Sequence, residues 1–328
     1  MSHVLRSLQS SRRLLVLLLV GAIAVFQAPT ASATVVRYAT SLGVVDVRLY
    51  DTATPLTVAN FLNYSTSNRY NGSFIHRGAT NFVVQGGGFT FTPPTTVNNV
   101  PTDPPVQNEF GISNQRGTIA MAKTAAGPNS ATSQWFFNWK DNSGTPPLGL
   151  DHQNGGFTVF GRVVGSGMSV VDAINALPKV DLDQSDPGTF DEVPLRGTSA
   201  QPLAERLIFV NTVNTLNIPA GDYNFDGKVD GADLAVWKAD FGSATRAEAD
   251  GNGDGRVDGA DYLVWQRTAG QNFGAPTAGA ASAVPEPAAA TMVFFASASL
   301  AIYHRIKRRS TRRQPHHGGD IPLLSPSH

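Results

Sequence analysis

Two stretches of acidic residues have the composition and spacing of a metal site. They begin at Asp222 and Asp250, and the second repeats the pattern of the first 28 residues later. Side chains with oxygen atoms occupy positions 1, 3, 5, 9 and 12 of each stretch, and glycine occupies position 6, as in a calcium loop of the EF-hand type. Position 7 of such a loop binds through its backbone carbonyl. The predicted calcium ligands are Asp222, Asn224, Asp226, Lys228, Asp230 and Asp233, then Asp250, Asn252, Asp254, Arg256, Asp258 and Asp261. A pair of solvated acidic turns is the alternative.

The two repeats also indicate a small module. Position 12 is Asp rather than the usual Glu, and one helix follows each loop. A duplicated loop and helix of this length resembles the type I dockerin, a family that folds around calcium and binds cohesin domains. The resemblance implies two structural Ca²⁺ ions and a cohesin-like partner, although small residues (Gly231–Ala232 and Gly259–Ala260) stand where dockerins select that partner. We expect the small core to consist of Leu234, Trp237, Tyr262 and Trp265.

The rest of the chain lacks the residues of several common catalytic sites. There is no cysteine, which excludes thiol catalysis and any Cys-ligated zinc or iron–sulfur centre. No G-x-S-x-G elbow, H-E-x-x-H zinc motif or Walker A loop is present. His76 and His152 are the two histidines between residues 34 and 287. A Ser-His-Asp site using His152 and a phosphate cradle at residues 85–88 stay open as weak alternatives.

Several short phrases in the larger part of the chain occur in a characteristic order. They are Phe74-Ile-His-Arg77, Phe82-Val-Val-Gln-Gly-Gly87, Gly117-Thr-Ile-Ala-Met-Ala-Lys123, Gly127-Pro-Asn-Ser-Ala-Thr-Ser-Gln-Trp-Phe-Phe137 and Val159-Phe-Gly161. At these spacings they resemble the cyclophilin family of peptidyl-prolyl cis–trans isomerases, and its exported bacterial branch in particular. The resemblance covers nearly all of residues 35–217. It implies a mainly β fold, an eight-stranded antiparallel barrel capped by two helices.

The resemblance also assigns roles to individual residues. It implies that Arg77 is the catalytic donor, and that Gln85 orients Arg77 or holds the substrate backbone. The other substrate-binding positions it implies are Phe82, Val83, Ala122, Gln134, Phe136, Leu150 and Phe157. The usual Ile-Pro-Gly after the arginine is replaced here by Gly78-Ala-Thr-Asn81, which we expect to loosen the loop that positions Arg77.

The chemistry of this enzyme class makes few demands. An X–Pro bond must twist over a barrier of about 18–20 kcal/mol. The twisted amide loses resonance, and its nitrogen becomes a better hydrogen-bond acceptor, so a fixed cationic donor stabilises the twisted state. No nucleophile and no cofactor is needed for catalysis.

Hydrophobic periodicity predicts the elements that position these residues. Residues 35–41 and 44–50 have the composition of a β-hairpin, in which Val45, Val47 and Leu49 alternate with Asp46 and Arg48 as in a half-buried strand. Thr54-Pro55 has the form of a helix start, and a second helix is predicted over residues 168–177. Strands are also predicted over residues 158–164 and 207–213. Two helices among many short strands favour a closed barrel.

Both ends of the chain have the pattern of targeting signals. Residues 1–33 are predicted to be a secretory signal peptide, with an uncleaved anchor as the alternative. After an Ala/Pro/Gly/Ser linker at residues 275–283, residues 284–313 contain Pro-Glu-Pro, a short apolar segment at 288–303 and a basic end. This order resembles the PEP-CTERM sorting signal and implies an exosortase-type processing enzyme, with a permanent tail anchor as the alternative. Residues 314–328 would stay on the cytoplasmic side.

The charge distribution divides the chain in the same way. The whole chain has 25 basic and 25 acidic residues, but residues 34–287 have 16 basic and 24 acidic ones, a net charge of −8. An acidic body excludes a nucleic-acid partner, and membrane contact is expected only through the C-terminal segment. The sequence thus predicts an exported isomerase domain (34–217) acting on proline-containing polypeptides and joined to a calcium-binding docking module (221–274). It would be located in the periplasm, at the cell surface or in the extracellular matrix. The alternative is a surface protein that binds proline segments with little turnover.

Overall fold

The computed structural model describes residues 32–183, 189–243, 246 and 248–274. The predicted linker, the sorting segment and the signal segment as far as residue 31 lie outside the described residues. Within the described part of the chain, no helix is both long and apolar enough to cross a membrane.

The described residues form thirteen strands and five helices. The strands are β1 Val35–Thr40, β2 Gly43–Leu49, β3 Ser73–Phe74, β4 Arg77–Gly78, β5 Val83–Gly86, β6 Phe89–Thr92, β7 Thr96–Asn99, β8 Thr118–Met121, β9 Trp135–Asn138, β10 Val159–Val164, β11 Lys179–Val180, β12 Val193–Pro194 and β13 Phe209–Leu216. The helices are α1 Pro55–Thr66, α2 Gly167–Ala176, α3 Leu203–Arg206, α4 Gly231–Asp240 and α5 Gly259–Thr268.

Eleven strands form one antiparallel sheet, in the order β4-β5-β9-β8-β10-β2-β1-β13-β3-β6-β7. The sheet is open, so the prediction of a closed eight-stranded barrel is wrong in closure and in strand number. The ladder is interrupted where the chain passes from β3, which pairs with β13, to β4, which pairs with β5. Between these strands only single bonds form, from the Ile75 amide to the Ile208 carbonyl and from the His76 amide to the Gln85 carbonyl. The chain therefore bridges the two parts of the sheet without a regular ladder.

The hydrophobic core on the sheet contains the residues that the sequence pattern predicts. Val45, Val47 and Leu49 are fully buried, as the alternation along β2 predicts. Helix α1 begins at Pro55, next to Thr54, and buries Phe61 against this core. Helix α2 starts and ends one residue earlier than predicted. The two predicted helices are thus confirmed, and their apolar faces cover the sheet.

One residue of β2 departs from the alternation. Arg48 has the outward position of a half-buried strand, but only 1% of it is exposed. Residues 221–274 cover it, and they belong to the same compact unit as the sheet.

The core of residues 221–274 is small and differs from the prediction. Its apolar cluster contains the buried residues Tyr223, Ala249 and Val257, with Trp237 and Trp265 packed against them. Val229 and Val264 are also buried. The two repeats support each other, since the Trp237 indole donates to the Asp258 carbonyl and the Trp265 indole to the Asp230 carbonyl. Of the four predicted core residues, Leu234 lies outside the apolar cluster, and Tyr262 contributes through ring contacts with both tryptophans.

Candidate active site and calcium loops

A cavity of about 370 Å³ opens at the end of the sheet formed by β4, β5, β9 and β8. Its lining contains all nine residues that the sequence predicts for catalysis and substrate binding: Arg77, Phe82, Val83, Gln85, Ala122, Gln134, Phe136, Leu150 and Phe157. These positions span 81 residues of sequence, and antiparallel pairing of β5 with β9 and of β8 with β9 brings them together. His76, Lys123, Gln153 and Thr189 complete the lining.

Arg77 lies on β4, directly opposite Gln85 on β5. Its Nε is 3.5 Å from the Glu192 carboxylate, and its guanidinium carbon is 5.8 Å from the centre of the Phe82 ring. About a third of the side chain is exposed. The guanidinium is thus oriented by a carboxylate and an aromatic ring, while a substantial part of it stays accessible at the cavity.

The loop after Arg77 is anchored, although its unusual sequence predicts loosening. The Gly78 amide donates to the Glu192 carbonyl at 2.8 Å, and the Phe82 amide donates to the Ala79 carbonyl. The Phe82 carbonyl accepts from the Trp139 amide and from the Asn142 side chain. These bonds hold Phe82 at the edge of the cavity in spite of the missing proline.

A polar chain runs along the other side of the cavity. Gln85 donates its Nε2 to Gln134 Oε1 at 2.8 Å, so its side chain is engaged with Gln134 rather than with Arg77. His76 lies beside this chain at the cavity. Burial, and then the Arg77 cation, lower the pKa of His76 to about 4. His76 is therefore neutral at pH 7 and donates no proton from an imidazolium.

The base of the cavity is apolar. Val83, Phe136 and Leu150 are each at least nine-tenths buried and belong to one hydrophobic cluster. Phe157 packs edge-on against Phe136, with ring centres 5.9 Å apart. A compact apolar ring in the cavity would bury its carbons against these side chains.

Two charged residues near the cavity have roles that the sequence does not predict. Lys123 donates to the carbonyls of Asn154 and Gly156, and its ammonium lies 4.6 Å from the centre of the Phe157 ring. Burial lowers the pKa of Lys123 to about 8. Glu192 reaches Arg77 from a loop between β11 and β12. Glu192 has no sequence signal, because its segment has no periodicity or neighbouring phrase.

The two acidic loops have nearly identical backbones. The Asp222 carboxylate accepts from the amides of Asp226 and Gly227, and the Asp250 carboxylate accepts from those of Gly253, Asp254 and Gly255. Each loop ends in a helix whose N-cap is position 9, with a capping box to position 12. This is the turn that the position-6 glycines predict, since Gly227 and Gly255 have φ of +86° and +85°.

The donor set fits a hard divalent cation. Asp222, Asp233, Asp250 and Asp261 are fully buried. Burial, together with the neighbouring carboxylates, raises the pKa of Asp250 to about 7 and that of Asp261 to about 6. Such crowded buried carboxylates are costly when ionised, and a bound cation removes that cost. Among the described residues no group of three acidic or histidine side chains is placed to hold a metal ion, and the position-12 carboxylates accept from backbone amides instead.

Comparison with known proteins agrees with both parts of this description. Residues 35–197 match the model of the cyclophilin type peptidyl-prolyl cis-trans isomerase family, and residues 220–268 match that of the dockerin type I domain. A peptidyl-prolyl cis-trans isomerase of Acinetobacter baylyi is 38% identical over 56% of this chain and 88% of its own length. Peptidyl-prolyl cis-trans isomerase A of Dickeya dadantii is 40% identical over 50% of this chain and 80% of its own length.

Among solved structures, a cyclophilin type isomerase of Cryptosporidium parvum covers 57% of this chain and 99% of its own, with 21% identity and a TM-score of 0.41. The sequence relatives define the class: the chain belongs to the cyclophilin family. The enzyme class predicted from the sequence, a peptidyl-prolyl cis–trans isomerase of cyclophilin type, is confirmed.

Proposed function

We propose that this isomerase accelerates rotation about X–Pro bonds in exported proteins, with Arg77 as the catalytic residue. The observation that carries the proposal is the convergence of the nine predicted residues on one cavity of about 370 Å³. Uncatalysed prolyl isomerisation takes tens of seconds or longer, which makes it a slow step in folding.

The geometry supports catalysis by selective binding of the twisted bond. Phe136, Val83 and Leu150 would hold the proline ring, while the rest of the peptide rotates around it. The guanidinium of Arg77 is permanently charged and planar, so it donates best to the nitrogen that has lost amide resonance. Because this donor favours the twisted state over both planar isomers, the barrier falls without any covalent step.

The polar chain would hold the substrate backbone. Gln85 and Gln134 are bonded to each other at the edge of the cavity, with remaining donor and acceptor capacity for a peptide. His76, which is neutral at pH 7, lines the same cavity. None of these groups needs to exchange a proton with the substrate.

We further propose that the two acidic loops bind one structural Ca²⁺ each. The predicted ligands in the first loop are Asp222, Asn224, Asp226, Asp230 and Asp233 with the carbonyl of Lys228, and the corresponding residues act in the second. Calcium supplies the charge that lets the buried carboxylates stay ionised. Residues Gly231, Ala232, Gly259 and Ala260 are all exposed, which leaves the partner-selecting positions free for a cohesin-type protein.

The proposed location follows from the termini. Residues 1–33 would direct export, and the Pro-Glu-Pro segment would be processed by an exosortase-type enzyme, leaving the protein in the periplasm, at the cell surface or in the extracellular matrix. Mass spectrometry of the mature protein tests both cleavages. Intact residues 1–33, or an intact C-terminus after export, would contradict them.

A protease-coupled assay on a proline peptide tests the catalytic proposal. We expect the full-length chain to accelerate isomerisation, and Arg77→Ala to lower kcat/KM by about 10²–10³-fold, the usual cost of losing one transition-state donor. Arg69→Ala is a matched control, because Arg69 pairs with Asp103 outside the cavity lining. No rate above the uncatalysed one would contradict the proposal and favour a protein that only binds proline segments.

A further inference from the structure

The second calcium loop lies directly on the isomerase domain. The Ala33 amide donates to the Gly251 carbonyl, and the Thr52 and Ala53 amides both donate to the Gly253 carbonyl, at 3.0–3.2 Å. The Thr52 hydroxyl adds a bond to the Asn252 carbonyl. Backbone groups on both flanks of the β1–β2 hairpin are thus satisfied by loop residues.

The repeats differ at the position where this contact needs space. Loop position 4 is Phe225 in the first repeat, but Gly253 in the second. A Cβ on Gly253 would lie 2.9 Å from the Asp51 amide nitrogen and 3.1 Å from the Leu49 carbonyl oxygen. Phe225 has φ of +63° and Gly253 has φ of +70°, so the loop itself accepts a side chain at position 4. The glycine in the second repeat therefore serves close approach to the isomerase backbone.

Arg48 joins both loops to the sheet. Its guanidinium donates to the carbonyl of Asp250 at 3.0 Å and to that of Asp222 at 3.2 Å, the first residue of each loop. It also lies 5.5 Å from the Tyr223 ring centre and 5.2 Å from that of Phe225. A buried cation is costly unless it is well bonded, so these loop carbonyls stabilise the placement of Arg48 inside the interface. If the loops lose their structure, Arg48 loses these partners.

We propose that residues 221–274 form a calcium-dependent brace of the isomerase domain, fixed by the second loop and by Arg48. Calcium bound in the loops stabilises the β1–β2 hairpin, because an ion that binds only the ordered loop favours every contact which that loop makes. The inference rests on the calcium sites proposed above. It leaves residues 231–232 and 259–260 exposed for a partner, since the docking uses the loop backbone.

Hydrogen–deuterium exchange on the full-length chain, with excess calcium or with a chelator, tests the inference. At calcium about 100-fold above the dissociation constant, openings that release the ion become about 100-fold rarer. We expect exchange in residues 33–53 to slow at least about tenfold with calcium, together with exchange in residues 221–274.

Two substitutions of glycines with positive φ separate docking from loop folding. Gly253→Asn places a side chain against the isomerase backbone, whereas Gly270→Asn, at φ of +85°, meets nothing within 4 Å. Asparagine tolerates this backbone region, so both variants keep the loop conformation accessible. We expect calcium to protect residues 33–53 in the Gly270→Asn variant but not in the Gly253→Asn variant, while both keep protection of residues 221–274. In the Arg48→Met variant, calcium should likewise fail to protect residues 33–53, because the sheet loses its side-chain bonds to both loops.

The outcomes distinguish this inference from the calcium proposal. Protection of residues 221–274 alone in the unsubstituted chain would overturn the brace and leave the calcium sites standing. Calcium protection of neither segment would overturn both. Equal protection of residues 33–53 in the Gly253→Asn and Gly270→Asn variants would overturn the assigned docking surface.

Discussion

The isomerase domain and residues 221–274, here called the calcium module, differ in what their interiors contain. The largest core cluster of the isomerase domain contains 24 buried hydrophobic residues, among them Trp135 and Phe61. The cluster in the calcium module has three such residues, and four aspartates of the module are fully buried. A segment of 54 residues buries little apolar surface, and a core of this size is marginal by itself. If the proposed calcium ions bind, metal replaces part of the apolar burial in the module, while the isomerase domain needs no metal for its core or its chemistry.

Loss of one calcium ligand should break the module and leave the isomerase core folded. In Asp250→Ala, three backbone amides lose a charged acceptor, at about 1.5–3 kcal/mol each, so we expect a cost of about 5 kcal/mol or more in the module. Fluorescence of Trp237 and Trp265 should lose its calcium response. Asp172→Ala, which removes an exposed ion pair with Arg116, serves as the control. An unchanged calcium response in the Asp250→Ala variant would contradict the comparison.

A cavity in the isomerase domain should cost stability that calcium does not restore. Phe136 is 4% exposed, and Phe136→Ala should lower the free energy of unfolding by about 3–5 kcal/mol. Urea denaturation with and without calcium measures this. The exposed Phe241 supplies the control, since Phe241→Ala should change little. A loss below about 1 kcal/mol in the Phe136→Ala variant would mean that this site is not packed as described.

Acid should weaken the isomerase domain through His76. Its pKa of about 4 lies below the unfolded value of about 6.5, so the stabilisation is complete above pH 6.5 and is lost as pH falls to 4. The shift corresponds to about 3 kcal/mol. Urea denaturation at pH 6.5 and at pH 4 measures this loss in the free energy of unfolding. We expect the loss to be about 3 kcal/mol smaller in the His76→Gln variant than in the unsubstituted chain. The exposed His152 provides the control variant His152→Gln, and identical acid sensitivity of all three proteins would refute the assignment.

The smallest effect is expected at the ion pair that orients Arg77. Both partners are about a third exposed, and such pairs contribute up to about 1 kcal/mol. Glu192→Gln should therefore lower kcat/KM less than about fivefold, mainly through kcat. Glu205→Gln is the control, because Glu205 is exposed and lies outside the cavity lining. A loss as large as that of Arg77→Ala would assign Glu192 a direct part in the reaction.

Much of this comparison could be read from the sequence, and the exceptions are informative. Alternation along β2 predicts the buried Val45, Val47 and Leu49 because a strand's period reflects its own two faces. The same pattern predicts that Arg48 is exposed, whereas it is buried. The alternation along one strand carries no information on what packs over the outer face of that strand. The exchange of Phe225 for Gly253 between the repeats is a signal for that packing.

Seven of the nine site residues occur in fixed phrases, whereas Leu150 and Phe157 follow from the family resemblance alone, and the structure brings all nine to one cavity. Glu192 has no sequence signal, and the role of Lys123, which ends one of the phrases, depends on its tertiary contacts. The prediction of a closed barrel is wrong because strand pairing also depends on tertiary contacts. Strand composition does not specify whether the ladder continues across Ile75 and His76, where the chain makes single bonds to two different strands.

The most direct test of the central claim is the exchange rate of a proline peptide between its isomers, measured by exchange NMR with the full-length chain in H₂O and in D₂O. Since the cavity accelerates rotation without proton transfer, kcat/KM should be the same in both solvents. Arg77→Lys keeps the charge but loses the planar fork, and it should lose most of the rate. A rate that falls about twofold or more in D₂O, or an Arg77→Lys variant as fast as the unsubstituted chain, would contradict the account.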